Sequence, residues 1–202
     1  MAVWCEPKPL ILASQSRARQ VLLANAGLSF ETVPAAIDER AIQRNSGLAT
    51  GGEIAVRLAR EKAREVSSRW PGRYVIGADQ TLECDGHVFN KPAGRVGAAS
   101  HLRALSGRTH TLHAGVAIVR DGRLLFEDLS VARMTMRELS DDTIETYLNE
   151  AGDAATASVG AYQLETTGIH LFSRIEGDHF TILGLPLLPL LGFLRGQGLL
   201  SL

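Results

Sequence analysis

The 202-residue sequence has few cysteines, no excess of either charge and no long uninterrupted apolar run. Its two cysteines, Cys5 and Cys84, lie far apart without CxxC spacing, which argues against a zinc site or a disulfide framework. The 21 basic and 22 acidic residues leave no basic field for nucleic acid and no polybasic patch for a membrane. The longest apolar tract, 182–194, is broken by glycines and prolines and is too short to span a bilayer. We therefore expect a reduced, cytoplasmic protein without nucleic-acid or membrane partners.

Several motifs of common enzyme classes are also missing. There is no Walker A sequence, and no GxGxxG follows a strand pattern, so neither a P-loop NTPase nor a dinucleotide-binding enzyme is supported. GxSxG is missing too, which removes the main signal for a serine hydrolase. An acyl-transfer hydrolase using Ser14 or Ser16 would need a histidine partner, and none stands in a recognisable context. The six histidines are expected to pack in the core or lie on the surface rather than bind a metal.

The pattern of apolar residues predicts strands that alternate with helices. Strands are expected at 10–13 and 74–79, with the second ending at Asp79, and hairpin turns at Asp85-Gly86 and Asp121-Gly122. Helices are expected after the Ser14–Ser16 turn and, further along, at 53–68, 96–105, 140–149 and after Pro186. This order predicts a mixed α/β sheet flanked by helices, in one large domain or a compact two-lobed one.

Four charged residues in the first half of the chain are candidates for a site that binds an anionic substrate. Asp79 follows a buried strand, where α/β sheets bind ligands, although a turn-forming aspartate is equally compatible with the strand alone. Glu39 lies in a polar loop and could bind a hard cation, whereas Lys91 precedes Pro92, which restricts its backbone. From its spacing among other charges, Lys62 is expected on the solvated face of its helix. The residues alone therefore indicate an enzyme for anionic substrates.

Short sequence runs spread from Leu10 to about Arg195 resemble the Maf family of nucleoside triphosphate pyrophosphatases. The match combines the following runs: LASQSRAR at 12–19, IDE at 37–39, LAREKA at 58–63, GADQ at 77–80, Lys91-Pro92, LRALSG at 102–107, GAY at 160–162 and GLP at 184–186. Each run is short, but their order and spacing together are specific to that family.

The resemblance implies one Maf-like domain over 1–202, with a mixed twisted sheet flanked by helices around a deep nucleotide-binding cleft. It implies a homodimer that hydrolyses a nucleoside triphosphate to the monophosphate and pyrophosphate with a divalent cation, Mg²⁺ or Mn²⁺. By position, Asp79 matches the general base, Glu39 the metal-binding or catalytic acid, and Lys62 and Lys91 the phosphate-contacting lysines. Asp79 and Glu39 would hold the metal. The substrate-binding positions are Ser14, Ser16, Ala18, Arg19, Gln80 and Glu165.

Three positions bear on the base of the nucleotide. Gln80 and Glu165 are similar to the 7-methyl-GTP branch of the family, because the thymidine/uridine branch has threonine and glutamine there. A carboxylate can accept from both N1–H and the exocyclic amine of guanine, whereas thymine and uracil offer one N–H between two carbonyls. Ala18 matches neither branch, since arginine or tryptophan is usual at its position. The open alternatives are a dTTP/UTP pyrophosphatase and a catalytically silent, nucleotide-binding regulator of cell division.

Overall fold

A computed structural model describes residues 3–45, 47–48 and 50–202. The strands are β1 (Leu10–Leu12), β2 (Phe30–Thr32), β3 (Val75–Cys84), β4 (His87–Phe89), β5 (Thr109–Arg120), β6 (Arg123–Met136) and β7 (Phe172–Glu176). The helices are α1 (Arg17–Asn25), α2 (Glu39–Asn45), α3 (Gly51–Arg69), α4 (Gly94–Leu105), α5 (Asp141–Ala151), α6 (Ala154–Ala157), α7 (His179–Ile182) and α8 (Leu187–Gly196). Two short 3₁₀ turns lie at Val159–Ala161 and Thr167–Leu171.

The strands form one seven-stranded sheet in the order β2-β1-β3-β5-β6-β7, with β4 paired to β3. β1 is parallel to both β2 and β3, whereas β4 is antiparallel to β3 and β7 is antiparallel to β6. The prediction of a mixed α/β sheet flanked by helices is therefore confirmed.

Local turn chemistry explains the two predicted hairpins. Asp85 and Gly86 have φ of 50° and 76°, and Asp121 and Gly122 have φ of 51° and 73°. Paired left-handed residues of this kind give the type I′ turn that suits the twist of two strands, and Asp-Gly tolerates them. Both hairpin predictions are confirmed, since the first turn joins β3 to β4 and the second joins β5 to β6.

The prediction that the second strand ends at Asp79 is wrong, because β3 continues to Cys84. Its continuous apolar run does stop at Asp79, but the backbone stays extended through the polar pair Gln80-Thr81 to the buried Leu82 and Cys84. The neighbouring β1 ends earlier and pairs with β3 only as far as Ile76. Asp79 is thus inside its own strand yet beyond the end of the adjacent one.

The chain divides into two compact units. The first comprises Met1–Gln80, Ala114–Ser130 and His179–Leu202, and the second comprises Thr81–His113 and Val131–Asp178. In the first unit, two apolar clusters are built from β1, α1 and α8, and from α3 with β3 and β5. In the second, α4 packs against α5 and α6. The single domain over 1–202 stays a prediction.

Candidate active site

A buried lysine bridges two carboxylates in the first unit. The Nζ of Lys62 lies 2.6 Å from Oδ1 of Asp79 and 2.9 Å from Oε1 of Glu39. Asp79 and Lys62 are 7% and 9% exposed, whereas the Glu39 side chain is 49% exposed. The expectation that Lys62 lies on a solvated helix face is therefore wrong. The structure brings together three of the four charged residues that the sequence selected.

A close approach between α3 and β3 places Lys62 beside Asp79. A Cβ on Gly77 would lie 2.0 Å from the carbonyl oxygen of Ala59 and 2.8 Å from the backbone nitrogen of Ala63. Only glycine fits at such a distance, because real side chains would collide with the helix backbone. Gly77 and Asp79 are two residues apart and so project from the same face of the strand. The glycine therefore lets the helix that carries Lys62 reach the carboxylate.

A second glycine extends this contact to the neighbouring strand. A Cβ on Gly115 in β5 would lie 2.6 Å from the carbonyl oxygen of Ala55. Ala55, Ala59 and Ala63 recur every four residues, so they form one stripe on α3. The sequence-based prediction assigned no packing role to these two glycines, although the combination of a strand glycine and a small-residue stripe is visible in the sequence.

Burial dominates the electrostatics of Asp79. Removal from water raises the pKa of its carboxyl above the ordinary value, while the charges of Lys62 and Arg19 act in the opposite direction. Burial likewise lowers the pKa of the Arg19 guanidinium, whereas the negative charges of Asp79 and Glu39 act to raise it. The cluster therefore holds an aspartate whose proton affinity is increased but whose charged form keeps two cationic neighbours.

The turn between β1 and α1 carries four of the predicted substrate-binding residues. Ser16 is the N-cap of α1, and its Oγ accepts a hydrogen bond from the backbone N–H of Arg19 at 3.5 Å. The Oγ of Ser14 accepts from the backbone N–H of Ser16 at 3.2 Å and from Nη1 of Arg19 at 3.1 Å. Ala18 lies half-buried in the first turn of the helix. The structure thus gathers these four residues at the amino terminus of α1.

The remaining predicted residues lie elsewhere. Gln80 follows Asp79 in β3 and is half-buried in the first unit. Lys91 lies between β4 and α4, and Glu165 precedes the 3₁₀ turn Thr167–Leu171. Both belong to the second unit and are exposed, so their charged groups are accessible to solvent.

Comparison with known proteins identifies the family. A family model described as Maf-like protein matches residues 9–197. The chain belongs to the Maf-like family. The resemblance predicted from the short sequence runs is therefore confirmed.

Relatives in this family carry enzyme names. A nucleoside triphosphate pyrophosphatase from Nitrobacter hamburgensis is 83% identical over 202 residues, which cover all of both chains. A protein named 7-methyl-GTP pyrophosphatase, from Rhizobium etli, is 52% identical over 191 residues, covering 94% of this chain and 96% of the relative. Among solved structures, a HAM1 protein from Coxiella burnetii has a TM-score of 0.39 at 16% identity, over 63% of this chain and 72% of that chain.

Within the described residues, no helix has both the length and the apolar character needed to cross a membrane. The cytoplasmic location and the homodimer stay predictions.

Proposed function

We propose that this chain hydrolyses a nucleoside triphosphate to the nucleoside monophosphate and pyrophosphate. The observation that carries the proposal is the buried Lys62 ammonium, which contacts the carboxylates of Asp79 and Glu39 at 2.6 and 2.9 Å. The names of the Nitrobacter and Rhizobium relatives support the same reaction. A protein that only bound nucleotides would have no use for a buried, oriented acid beside phosphate-attracting cations.

Asp79 acts as the general base in this mechanism. Its carboxylate takes a proton from a water molecule while the water oxygen forms a bond to the α-phosphorus. The bond from that phosphorus to the oxygen bridging to the β-phosphate breaks, and its electron pair leaves with pyrophosphate. A raised pKa suits a base, because a more basic carboxylate takes the proton more readily. Lys62 supports the ionised form of Asp79 and orients it through the 2.6 Å contact.

Cations and a helix terminus would hold the triphosphate. Ser14 and Ser16 lie in the turn between β1 and the amino terminus of α1, and the backbone amides of a helix amino terminus attract anions. Lys62 contributes positive charge from α3, and Lys91 is a further proposed phosphate contact. Without a net positive charge on the whole chain, such local cations are needed to bind the substrate.

The two carboxylates are proposed to bind a divalent cation together with the substrate. Among the described residues, no group of three or more His, Cys, Asp or Glu side chains could hold a metal. Mg²⁺ commonly needs only one or two protein carboxylates, because it keeps water molecules and takes phosphate oxygens of the substrate. Glu39 and Asp79 are the residues that would hold Mg²⁺ or Mn²⁺. A cation bound there would neutralise phosphate charge during the reaction.

The proposed substrate is a guanine-type nucleotide such as 7-methyl-GTP. The name of the Rhizobium relative supports this choice. Glu165 is exposed, and its carboxylate can accept two hydrogen bonds from the edge of guanine. Ala18 offers no aromatic face for a cationic methylated base, so any discrimination would depend on the edge contacts.

The test measures pyrophosphate release from 7-methyl-GTP, GTP, UTP and dTTP with Mg²⁺ or Mn²⁺. In ¹⁸O-labelled water, the label should enter the monophosphate, because the water attacks the α-phosphorus. Asp79→Asn should lower kcat by about 10²- to 10⁴-fold, as expected for loss of a general base. Asp142→Asn, which makes the same change at an exposed position of α5, is the matched control and should keep full activity.

Each part of the proposal can fail separately. Full activity of Asp79→Asn would remove its role as base, and label in the pyrophosphate would place the attack at another phosphorus. A preference for UTP or dTTP over 7-methyl-GTP would show that the base assignment is wrong, while the pyrophosphatase assignment would stand.

A further inference from the structure

The segment Thr181–Gly184, called here the 181–184 turn, closes α7 and leads into α8. The backbone N–H of Gly184 donates to the carbonyl of Thr181 at 3.0 Å, and the backbone N–H of Leu185 donates to the carbonyl of Phe180 at 3.1 Å. Gly184 has a φ of 87°, a left-handed conformation that favours glycine. In the following helix, Leu187, Leu190 and Leu194 are buried in the core of the first unit. The turn is therefore anchored to packed apolar side chains.

Gln80 binds this turn with both hydrogens of its amide. Its Nε2 donates to the carbonyls of Thr181 and Ile182, each at 3.0 Å. A side-chain amide has only two N–H donors, so neither remains for a nucleotide base. Gln80 immediately follows Asp79, and the bonds therefore hold the strand at one side of the carboxylate.

Arg19 makes the equivalent contacts on the other side of Asp79. Arg19 is 8% exposed, and its Nη1 donates to the carbonyl of Ala78 while its Nε donates to that of Gly184, both at 2.8 Å. The Ala13 N–H donates to the Ile76 carbonyl, and Ala78 is two residues further along the same edge of β3. Because β1 has ended there, Arg19 supplies the donor that a continued strand would have given.

The two side chains converge at one point. A Cβ on Gly184 would lie 3.3 Å from Nη2 of Arg19 and 3.4 Å from Oε1 of Gln80. Both sequence neighbours of Asp79 are thus linked to the same turn by hydrogen bonds. Gln80 donates to the turn directly, and Ala78 is linked to it through Arg19.

We propose that Arg19 and Gln80 are positioning residues, which fix the Asp79 carboxylate by tying β3 to the 181–184 turn. The inference rests on the proposed role of Asp79 as general base. The family resemblance implies that Arg19 and Gln80 contact the substrate directly. In this proposal they act instead through the backbone that carries the base. A displacement of about 1 Å at a catalytic group can cost 10²-fold in rate, so such a tie has a measurable effect.

The main test is Gln80→Met, which keeps the length of the side chain and removes both donors. We expect kcat to fall roughly 10- to 100-fold on every nucleotide by the same factor, with KM changed less than about threefold. The ratio of kcat/KM between 7-methyl-GTP and UTP should stay constant. Gln197→Met makes the same change at the exposed end of α8 and should leave all these values unaltered.

Arg19→Lys provides a second test. Lysine keeps the positive charge but lacks the planar guanidinium whose separate N–H groups donate to the carbonyls of Ala78 and Gly184. A positioning role predicts that kcat falls while KM stays near the native value.

Hydrogen exchange of the free protein gives a readout without turnover. In Gln80→Met, the amides of Leu183 and Gly184 should exchange roughly tenfold faster, because the turn loses bonds that restrain its opening.

Several results would overturn the inference. A changed nucleotide preference with retained kcat would make Gln80 a base-contacting residue. Native kcat together with native exchange would mean that the bonds do not restrain the site. If Gln80→Met does not fold, Gln80→Asn keeps the amide one methylene shorter and should show the same uniform loss of kcat. An inactive wild-type protein refutes the proposed function, whereas an active wild type with a fully active Gln80→Met refutes the positioning role alone.

Discussion

Acidification should destabilise the protein through His110, which is buried in the second unit. The residue is 1% exposed, its Nε2 lies 2.7 Å from the Tyr162 hydroxyl, and its ring also contacts that of Phe172. Burial lowers the pKa of His110 from 6.5 to about 4, since a charged imidazolium would lose its hydration in this site. The folded protein therefore keeps the ring neutral at a pH where the unfolded chain already binds a proton.

The sign and size of the effect follow from proton linkage. Stability contributed by neutral His110 is present above pH 6.5 and is lost as the pH falls towards 4. At 1.36 kcal/mol for each pKa unit, the full loss is about 3 kcal/mol, and about 2 kcal/mol is lost between pH 7.5 and pH 5. Burial lowers the pKa of His101 and His113 too, which adds loss of the same sign. The raised pKa of Asp79 acts oppositely, because its folded form binds a proton first as the pH falls.

Urea unfolding between pH 7.5 and pH 5 measures this dependence, and two variants isolate His110. His110→Gln cannot take up a proton in this range, so its free energy of unfolding should lose about 2 kcal/mol less than the wild type across the same interval. Tyr162→Phe removes the hydroxyl but keeps the buried imidazole, so it should be less stable at every pH and retain the wild-type pH dependence. Equal pH dependence in wild type and His110→Gln would refute the reasoning.

Three further predictions concern the cluster around Asp79. Glu39→Gln should raise the Mg²⁺ concentration needed for half-maximal activity in a metal titration, because a neutral amide replaces a charged ligand. An unchanged titration curve would exclude Glu39 from metal binding. Lys62→Gln should move the acidic limb of the kcat/KM profile to higher pH, since the lysine charge acts to lower the raised pKa of Asp79, and an unmoved limb would contradict this coupling. Gly77→Ala should cost about 1 to 3 kcal/mol of stability in urea unfolding and reduce kcat, because its Cβ would lie 2.0 Å from a helix carbonyl. Gly192→Ala in α8, where a Cβ meets nothing within 4 Å, is the control and should be neutral or slightly stabilising.

The sequence predicts those parts of the fold whose signals are local. The Asp-Gly turns carry their own conformational preference, and both form the expected hairpins. Ser140 suits the cap of the helix predicted at 140–149, and its side chain accepts from the backbone N–H of Thr143 at the start of α5. The apolar pattern predicts that α3 begins at Glu53, but a capping box between Thr50 and Glu53 starts the helix at Gly51. That signal is also local and is visible in the sequence.

The burial of Lys62 depends on residues far away in the chain, and so do the partners of the polar side chain of Gln80 in β3. Polar Gln80 and Thr81 interrupt the apolar pattern, yet the strand continues and pairs with β4 as far as Cys84. The amide of Gln80 donates to the 181–184 turn about a hundred residues later. Lys62 stands among charged neighbours that do face solvent, and its helix spacing alone does not distinguish it from them. Its partner, Asp79, is reached only because of how α3 packs on the sheet.

The signal for that packing is divided between two segments, and neither is informative alone. The strand offers Gly77 two residues before Asp79, and the helix offers Ala59 and Ala63 on either side of Lys62. A glycine on a strand permits a close helix, and small residues one turn apart permit a close strand. When both occur, a helix side chain that flanks the small residues can reach the strand residue that follows the glycine on the same face. This pairing permits the contact between Lys62 and Asp79, which the charge pattern of the helix conceals.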